Sequence, residues 1–164
     1  MAELSSGVNP LFLRDEELRQ GMDLLFRAQR DLVAEADPLL AEHGLGRAHH
    51  RAIYFIGRQP GLSVGVLLAV LGITKQSLGR VLDRLIEAGL VSQRTAPDDR
   101  RKRLLSLTEE GGALERQLTE RQRAVFARAY RAAGAEAVEG FRKVLRGLGG
   151  PGGEDRRGPA PTRR

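Results

Sequence analysis

From Leu18 onward apolar residues recur every three or four positions. Leu18, Met22, Leu25, Leu32, Ala36 and Leu39 share one register, with Gln29 in the same line. That period belongs to an α-helix presenting one face to a partner surface. It predicts a single helix over 11–43, bent at Pro38 and stopped by Gly44, after a loose stretch 1–10. A second helix fits 47–57, with Ala52, Ile53, Phe55 and Ile56 on its apolar side, and Gln59-Pro60-Gly61 marks a turn. Ser63 is placed to cap a third helix over 64–71, which Gly72 breaks. Thr74 is placed to cap a fourth, running to about 88 and ended by Gly89.

The period then shortens. Leu90-Val91-Ser92-Gln93-Arg94 and Leu104-Leu105-Ser106-Leu107 read as two strands of a hairpin around a Pro97-Asp98-Asp99 turn. Thr108, followed by Glu109 and Glu110, opens a fifth helix over 109–133, because acids in a first turn suit the helix dipole. Leu114, Leu118, Val125, Ala129 and Ala132 lie on or near one of its faces. Gly134 interrupts it, and a sixth helix over 135–148 carries Val138, Phe141, Leu145 and Leu148. The segment 149–164 is rich in Gly and Pro and reads as a disordered basic tail. The fold class is therefore mainly α with a small β-hairpin.

Composition narrows the partner. The chain has 164 residues, the size of one domain, with aromatics at 4% and no Trp, so its core rests on Leu, Val, Ile and Ala. It contains no Cys, which removes disulfides and thiolate metal sites from consideration. No apolar run approaches the ~18 residues of a membrane span, and the first residues lack the pattern of a signal peptide. A cytoplasmic protein without membrane contact is expected. The net charge of +6 favours an anionic partner, nucleic acid ahead of others.

Residues 63–107 give that partner a place. A short helix, a tight turn at Gly72-Ile73 and a longer helix are followed by the hairpin. Ile73 is placed to plug the angle between the two helices. Val81, Leu82, Leu85 and Ile86 are expected to face inward, leaving Lys75, Gln76, Ser77 and Arg80 outward near the start of the longer helix. The major groove admits one helix, and N-terminal side chains reach base edges there: Gln suits adenine, and Arg or Lys suits guanine. Between the strands stand Arg100, Arg101, Lys102 and Arg103, a density suited to a wing that follows the backbone or minor groove. The plainer alternatives are a solvated polar helix face and a hairpin charged against edge pairing.

Asp99-Arg100-Arg101 followed by Leu107-Thr108-Glu109-Glu110-Gly111 resembles the wing of the MarR family, a D-x-R turn and then L-T-x-x-G. Asp83-Arg84-Leu85-Ile86-Glu87-Ala88-Gly89-Leu90-Val91 resembles that family's junction between recognition helix and wing. Residues 46–52 with 73–80 are also similar to the PetP-type subgroup of alphaproteobacteria. The resemblance covers 11–148. It implies a winged helix-turn-helix lobe over 46–108 and dimerisation helices over 11–45 and 109–148, in a homodimer on a pseudo-palindromic promoter site. It also implies a role as regulator or repressor, released by a small ligand in many relatives. It makes Arg101 the wing-tip arginine and Asp99 the residue that orients the wing. The expected DNA-contacting set is Ser63, Thr74, Lys75, Gln76, Ser77, Arg80, Arg84, Arg94, Asp99, Arg100, Arg101, Lys102 and Arg103. A dimer is also expected from the residues themselves, because three helices carry apolar stripes that a small lobe has no room to cover.

His43, His49 and His50 fall within eight positions, at the junction of the first two helices. One reading is a metal or haem site; the other is polar helix ends and packing. His49 and His50, with Tyr54, are the residues expected to line an effector pocket. No metal site and no cofactor are assigned. No Walker loop, G-x-S-x-G, H-E-x-x-H or dinucleotide fingerprint is present, so an enzyme is not expected. The remaining alternative is a winged helix that binds protein, which would need neither a polar recognition face nor a cationic wing.

Overall fold

The computed structural model describes residues 10–149, and the expectations for 1–9 and 150–164 lie outside them. A turn of 3-10 helix at Leu11–Leu13 leads into α1 (Asp15–Ala34) and then α2 (Asp37–Glu42). The continuous helix expected over 11–43 is thus interrupted. Pro38 does not bend it. Pro38 lies in the first turn of α2, where a missing N–H costs nothing, and the break falls just before, at Glu35 and Ala36. The break has a packing consequence: Ala36, Leu39 and Leu40 turn into the core, whereas α1 buries none of its residues.

Next come α3 (Arg47–Arg58), β1 (Leu62–Ser63), α4 (Val64–Leu71) and α5 (Lys75–Glu87). They are followed by β2 (Val91–Thr95), β3 (Arg103–Leu107) and α6 (Glu109–Leu148). Hydroxyl caps start three of these helices. Ser63 accepts the Val66 amide at 3.2 Å, Thr74 the Ser77 amide at 3.1 Å and Thr108 the Gly111 amide at 3.0 Å. Gly72 ends α4 with φ +63°, a left-handed conformation glycine adopts without strain, and α4 and α5 meet at a bend of 116°. Ile73 packs against the core inside that bend.

The sheet has one strand more than the hairpin expected from the sequence. β1 is two residues long and pairs antiparallel with β3, Leu62 opposite Leu105, giving the order β1-β3-β2. The hairpin itself pairs Val91 with Leu107 through Thr95 with Arg103. The core gathers Leu40, Ile53, Ile56, Leu67, Leu78, Leu85 and Leu105 with Leu114 and Leu118 of α6. Val81, Leu82 and Leu85 face inward on α5 as expected, but Ile86 does not: it is 39% exposed. Leu82, Leu85 and Leu78 already fill the inward face at helical spacing, and Ile86 falls beside that stripe.

Within α6, Gly134 has φ +82° and ψ 169°, which no helix accommodates, so 109–133 and 135–148 are two helical segments. The segments fold toward each other, with the Tyr130 and Phe141 rings 6.3 Å apart in edge contact.

Candidate nucleic-acid interface and effector cleft

α5 begins with its outward side chains exposed: Lys75, Gln76, Ser77 and Arg80 all face solvent. The cap fixes two of the hydroxyls. Thr74 donates its hydroxyl proton to the Ser77 oxygen at 2.9 Å while accepting the Ser77 amide, so the Ser77 hydroxyl keeps its own proton for an outside acceptor. Lys75 and Arg80 make no ion pair among the described residues, which leaves their charge free for an anion. Ser63, one helix earlier, uses its oxygen as the α4 cap, and at that helix start it stands beside free backbone amides.

The wing is built as a defined turn. Ala96, buried beneath it, donates its amide to the Lys102 carbonyl at 2.9 Å. The Asp99 carboxylate accepts the Arg101 amide at 2.9 Å, and the Asp99 carbonyl accepts the Lys102 amide at 3.0 Å. Asp99 therefore shapes the loop, while Arg100, Arg101 and Lys102 on it are exposed. Arg103 starts β3 and donates to the Thr95 hydroxyl at 2.7 Å across the hairpin. Arg94, on the opposite strand, is exposed near the base of the wing.

Arg84 stands apart from this set. Its guanidinium reaches the His43 carbonyl at 3.4 Å and Glu87 at 3.6 Å, so it ties α5 to the turn that precedes α3.

The histidines do not converge. His43 is exposed at the end of α2. His49 accepts the Gly46 amide on Nδ1 at 3.0 Å, closing the first turn of α3. His50 is only 7% exposed, packed into the lobe. Burial, with the Arg84 charge second, pushes the His49 imidazole below its usual range. Burial does the same to His50, against the pull of Glu115 on α6 and Asp37 on α2. Among the described residues no group of His, Cys, Asp or Glu is arranged to hold a metal ion. Adjacent positions on a helix point about 100° apart, so His49 and His50 face different surroundings.

Tyr54, the third residue expected at an effector pocket, does line a cleft. It is an open space of about 650 Å³ between α3 and α6, walled by Tyr54, Gly57 and Arg58 and by Glu115, Arg116, Thr119, Glu120 and Arg123. Gly57 lets α3 and α6 pack closely at this point: a β-carbon there would lie 3.0 Å from Leu107 and 3.2 Å from Glu115. Thr119 donates to Glu115 at 2.6 Å and Arg123 pairs with Glu120 at 2.9 Å. Arg58 and Arg116 have no ion partner among the described residues. Sequence reasoning missed these arginines. The available signal was the i, i+4 pair Tyr54 and Arg58, and the three-and-four spacing of Arg116, Thr119 and Arg123.

A 116° helix-turn-helix backed by a three-stranded sheet, with a polar second helix and a cationic wing, defines a winged helix-turn-helix DNA-binding protein. The comparisons with known proteins agree. The model of the MarR family matches residues 43–102. The HTH-type transcriptional regulator PetP of Rhodobacter capsulatus is 54% identical over 145 residues, 88% of this chain and 87% of that one. The HTH-type transcriptional repressor Mb2911 of Mycobacterium bovis is 29% identical over 126 residues, 77% of this chain and 91% of its own. Among solved structures, NadR in complex with 4-hydroxyphenylacetate matches with a TM-score of 0.69 at 25% identity, covering 77% of this chain and 90% of that one. The chain belongs to the MarR family of transcriptional regulators, whose members are DNA-binding transcription factors and not enzymes.

Proposed function

We propose that this protein is a homodimeric, sequence-specific repressor of transcription, acting in the cytoplasm on a pseudo-palindromic promoter site and released by a small anionic ligand. The observation that carries the dimer is α1. Its Leu18, Met22 and Leu25 are 49%, 56% and 40% exposed on one stripe, and Phe141, Leu145 and Leu148 of α6 are exposed as well. An apolar surface of this extent on a single copy is the mark of an interface. A second copy is the natural cover, because a two-fold axis brings like stripes together and repeats the recognition helix for the second half-site. Under this reading 11–45 and 109–148 are dimerisation helices and 46–108 is the DNA-binding lobe.

The recognition helix contributes Lys75, Gln76, Ser77 and Arg80 to base edges and phosphates, and the wing contributes Arg100, Arg101 and Lys102. Ser63, Thr74, Arg94 and Arg103 support the same face, and Asp99 holds the wing turn. Arg84 acts from behind by fixing α5. Repression as the sense of regulation is supported by the Mycobacterium bovis relative, which is a transcriptional repressor.

The ligand reading rests on the cleft. Tyr54 offers a ring face, and Arg58 and Arg116 offer unpaired guanidinium groups that suit a carboxylate. NadR, solved with 4-hydroxyphenylacetate, binds a molecule of that chemistry. The pocket is thus centred on Tyr54 and Arg58. His49 and His50 are not in its lining: one closes the first turn of α3 and the other is packed in the lobe.

The test has two parts. Sedimentation equilibrium gives the mass, and titration with a duplex selected by the protein from a random pool gives affinity across salt. The expected result is a dimer, and log K falling linearly with log salt by ~0.9 for each phosphate contacted. A monomer at micromolar concentration, or affinity indifferent to salt, overturns the proposal.

A further inference from the structure

Every glycine within a helix of this chain asks for a reason, because glycine costs about 1 kcal/mol against alanine there. Some reasons lie within the chain. Gly111 has the Leu90 carbonyl in the place of its missing β-carbon, and Gly57 has Leu107 and Glu115. Gly134, inside α6, has positive φ. Gly79, in the middle of α5, has neither reason. Its backbone is helical, and a β-carbon built on it meets no atom within 4 Å. Gly21, Gly65, Gly140 and Gly147 share that emptiness, and of these five Gly79 is the one set among the exposed polar side chains of α5.

Its position supplies the missing reason. Gly79 lies one turn beyond Lys75 and Gln76 and immediately before Arg80, so the bare patch of helix is framed by the side chains that face solvent at the start of α5. A space that is empty in the free chain and flanked by unpaired donors is the space a closely approaching surface would fill. We infer that Gly79 is the point of closest approach between α5 and the major groove, where the absent side chain lets the helix seat deeper so that Gln76 and Arg80 reach base edges on either side. The surface that approaches is duplex DNA. The inference rests on the DNA-binding reading of α5 and adds the residue that sets the helix's depth.

The experiment is a graded series in the full-length dimer, Gly79→Ala and Gly79→Leu, beside Arg101→Ala. Melting temperature and affinity for the selected duplex are measured for each. Alanine and leucine are the strongest helix formers, so a purely local effect raises the melting temperature in both, by about 2–4 °C for a chain of this size. If the helix seats at Gly79, affinity for the selected duplex falls as stability rises. The loss is about tenfold for alanine and more than about a hundredfold for leucine, the range of one or more lost base-pair contacts. Unchanged affinity in both variants, while Arg101→Ala is weakened, overturns the seating role and leaves DNA binding intact. A melting temperature that falls in Gly79→Ala overturns it too, because the reason for the glycine is then inside the chain. A parent protein that binds no duplex removes both.

Discussion

Gly111 shows how a single position couples two parts of the molecule. The Leu90 carbonyl occupies the place of its missing β-carbon, and that carbonyl already accepts the Thr108 amide at 3.1 Å. The Thr108 hydroxyl donates to the Gly89 carbonyl at 2.6 Å, so the end of the recognition helix is clasped to the start of α6 by three adjacent groups. Backbone cannot move aside as a side-chain tip can. Gly111→Ala should therefore destabilise the fold by about 1–3 kcal/mol, the cost of overpacking, despite alanine's better helix propensity. Chemical denaturation measures it, and an unchanged or raised midpoint would show that the clasp is slack. His50 gives a second residue-scale expectation. Burial lowers its affinity for a proton in the folded chain, so on acidification the unfolded chain takes up the proton first. Stability is then complete above the usual imidazole range and declines as pH falls through it. His49, shifted the same way, adds to the decline. The Asp37 carboxyl, held low chiefly by its hydrogen bond from Arg47, gives way only in more acid solution. The denaturation midpoint should fall between about pH 8 and about pH 5.5, and His50→Leu should flatten that slope while Glu115 and Asp37 remain in place.

At the scale of elements, the proposed function gives α5 and the wing different work on DNA, and that division is measurable. Arg80 stands on α5 where base edges would lie, whereas Arg101 stands on a loop fixed by Asp99, where backbone or minor groove would lie. Arg80→Ala is expected to relax base preference at one position by about 1–3 kcal/mol. Arg101→Ala should weaken binding to most sequences and reduce the salt slope by about one. Equal binding of parent and Arg101→Ala to the selected duplex would remove the wing from the interface. These elements were legible in the sequence because each carries a local signal: Ser63, Thr74 and Thr108 at helix starts, Gly72 and Gly89 at helix ends, and a change from helical to alternating period at Leu90. The misses have non-local causes. β1 is two residues long and exists only because β3 lies beside it. Pro38 has the same local meaning inside a bent helix or at the start of a new one, and burial of Ala36 decides between them. Arg84, expected among the DNA contacts, also reaches the His43 carbonyl, a bond between positions 41 apart that no local pattern announces. The cleft joins α3 to α6 across some sixty positions of sequence, so the sequence offered Tyr54 without its neighbours.

The whole molecule depends on what covers α1. In a single chain this helix buries no residue, and its tie to α6 near the lobe is one bond, Gln122 to the Leu32 carbonyl at 3.2 Å. A lone amphipathic helix is marginal in water, so its order in the working protein has to come from packing on its apolar stripe. If the cover is a second copy, a charge placed on that stripe acts on DNA binding without touching DNA. Met22→Glu puts a carboxylate, facing its own symmetry mate, into the centre of the stripe. Arg27→Gln removes the same unit of charge from the opposite face of α1 and serves as the control. The expected outcome for Met22→Glu is dissociation to monomers at concentrations where the parent and Arg27→Gln are dimeric, read by sedimentation. Affinity for the two-half-site duplex should fall by about 10²–10⁴, the loss incurred when two linked binding events become independent. Affinity for an isolated half-site should change far less, because α5 and the wing of each copy remain intact. A Met22→Glu protein that stays dimeric and holds the full site as tightly as the parent would show that α1 is covered by something other than its twin, and the two-fold arrangement of recognition helices would have to be built elsewhere.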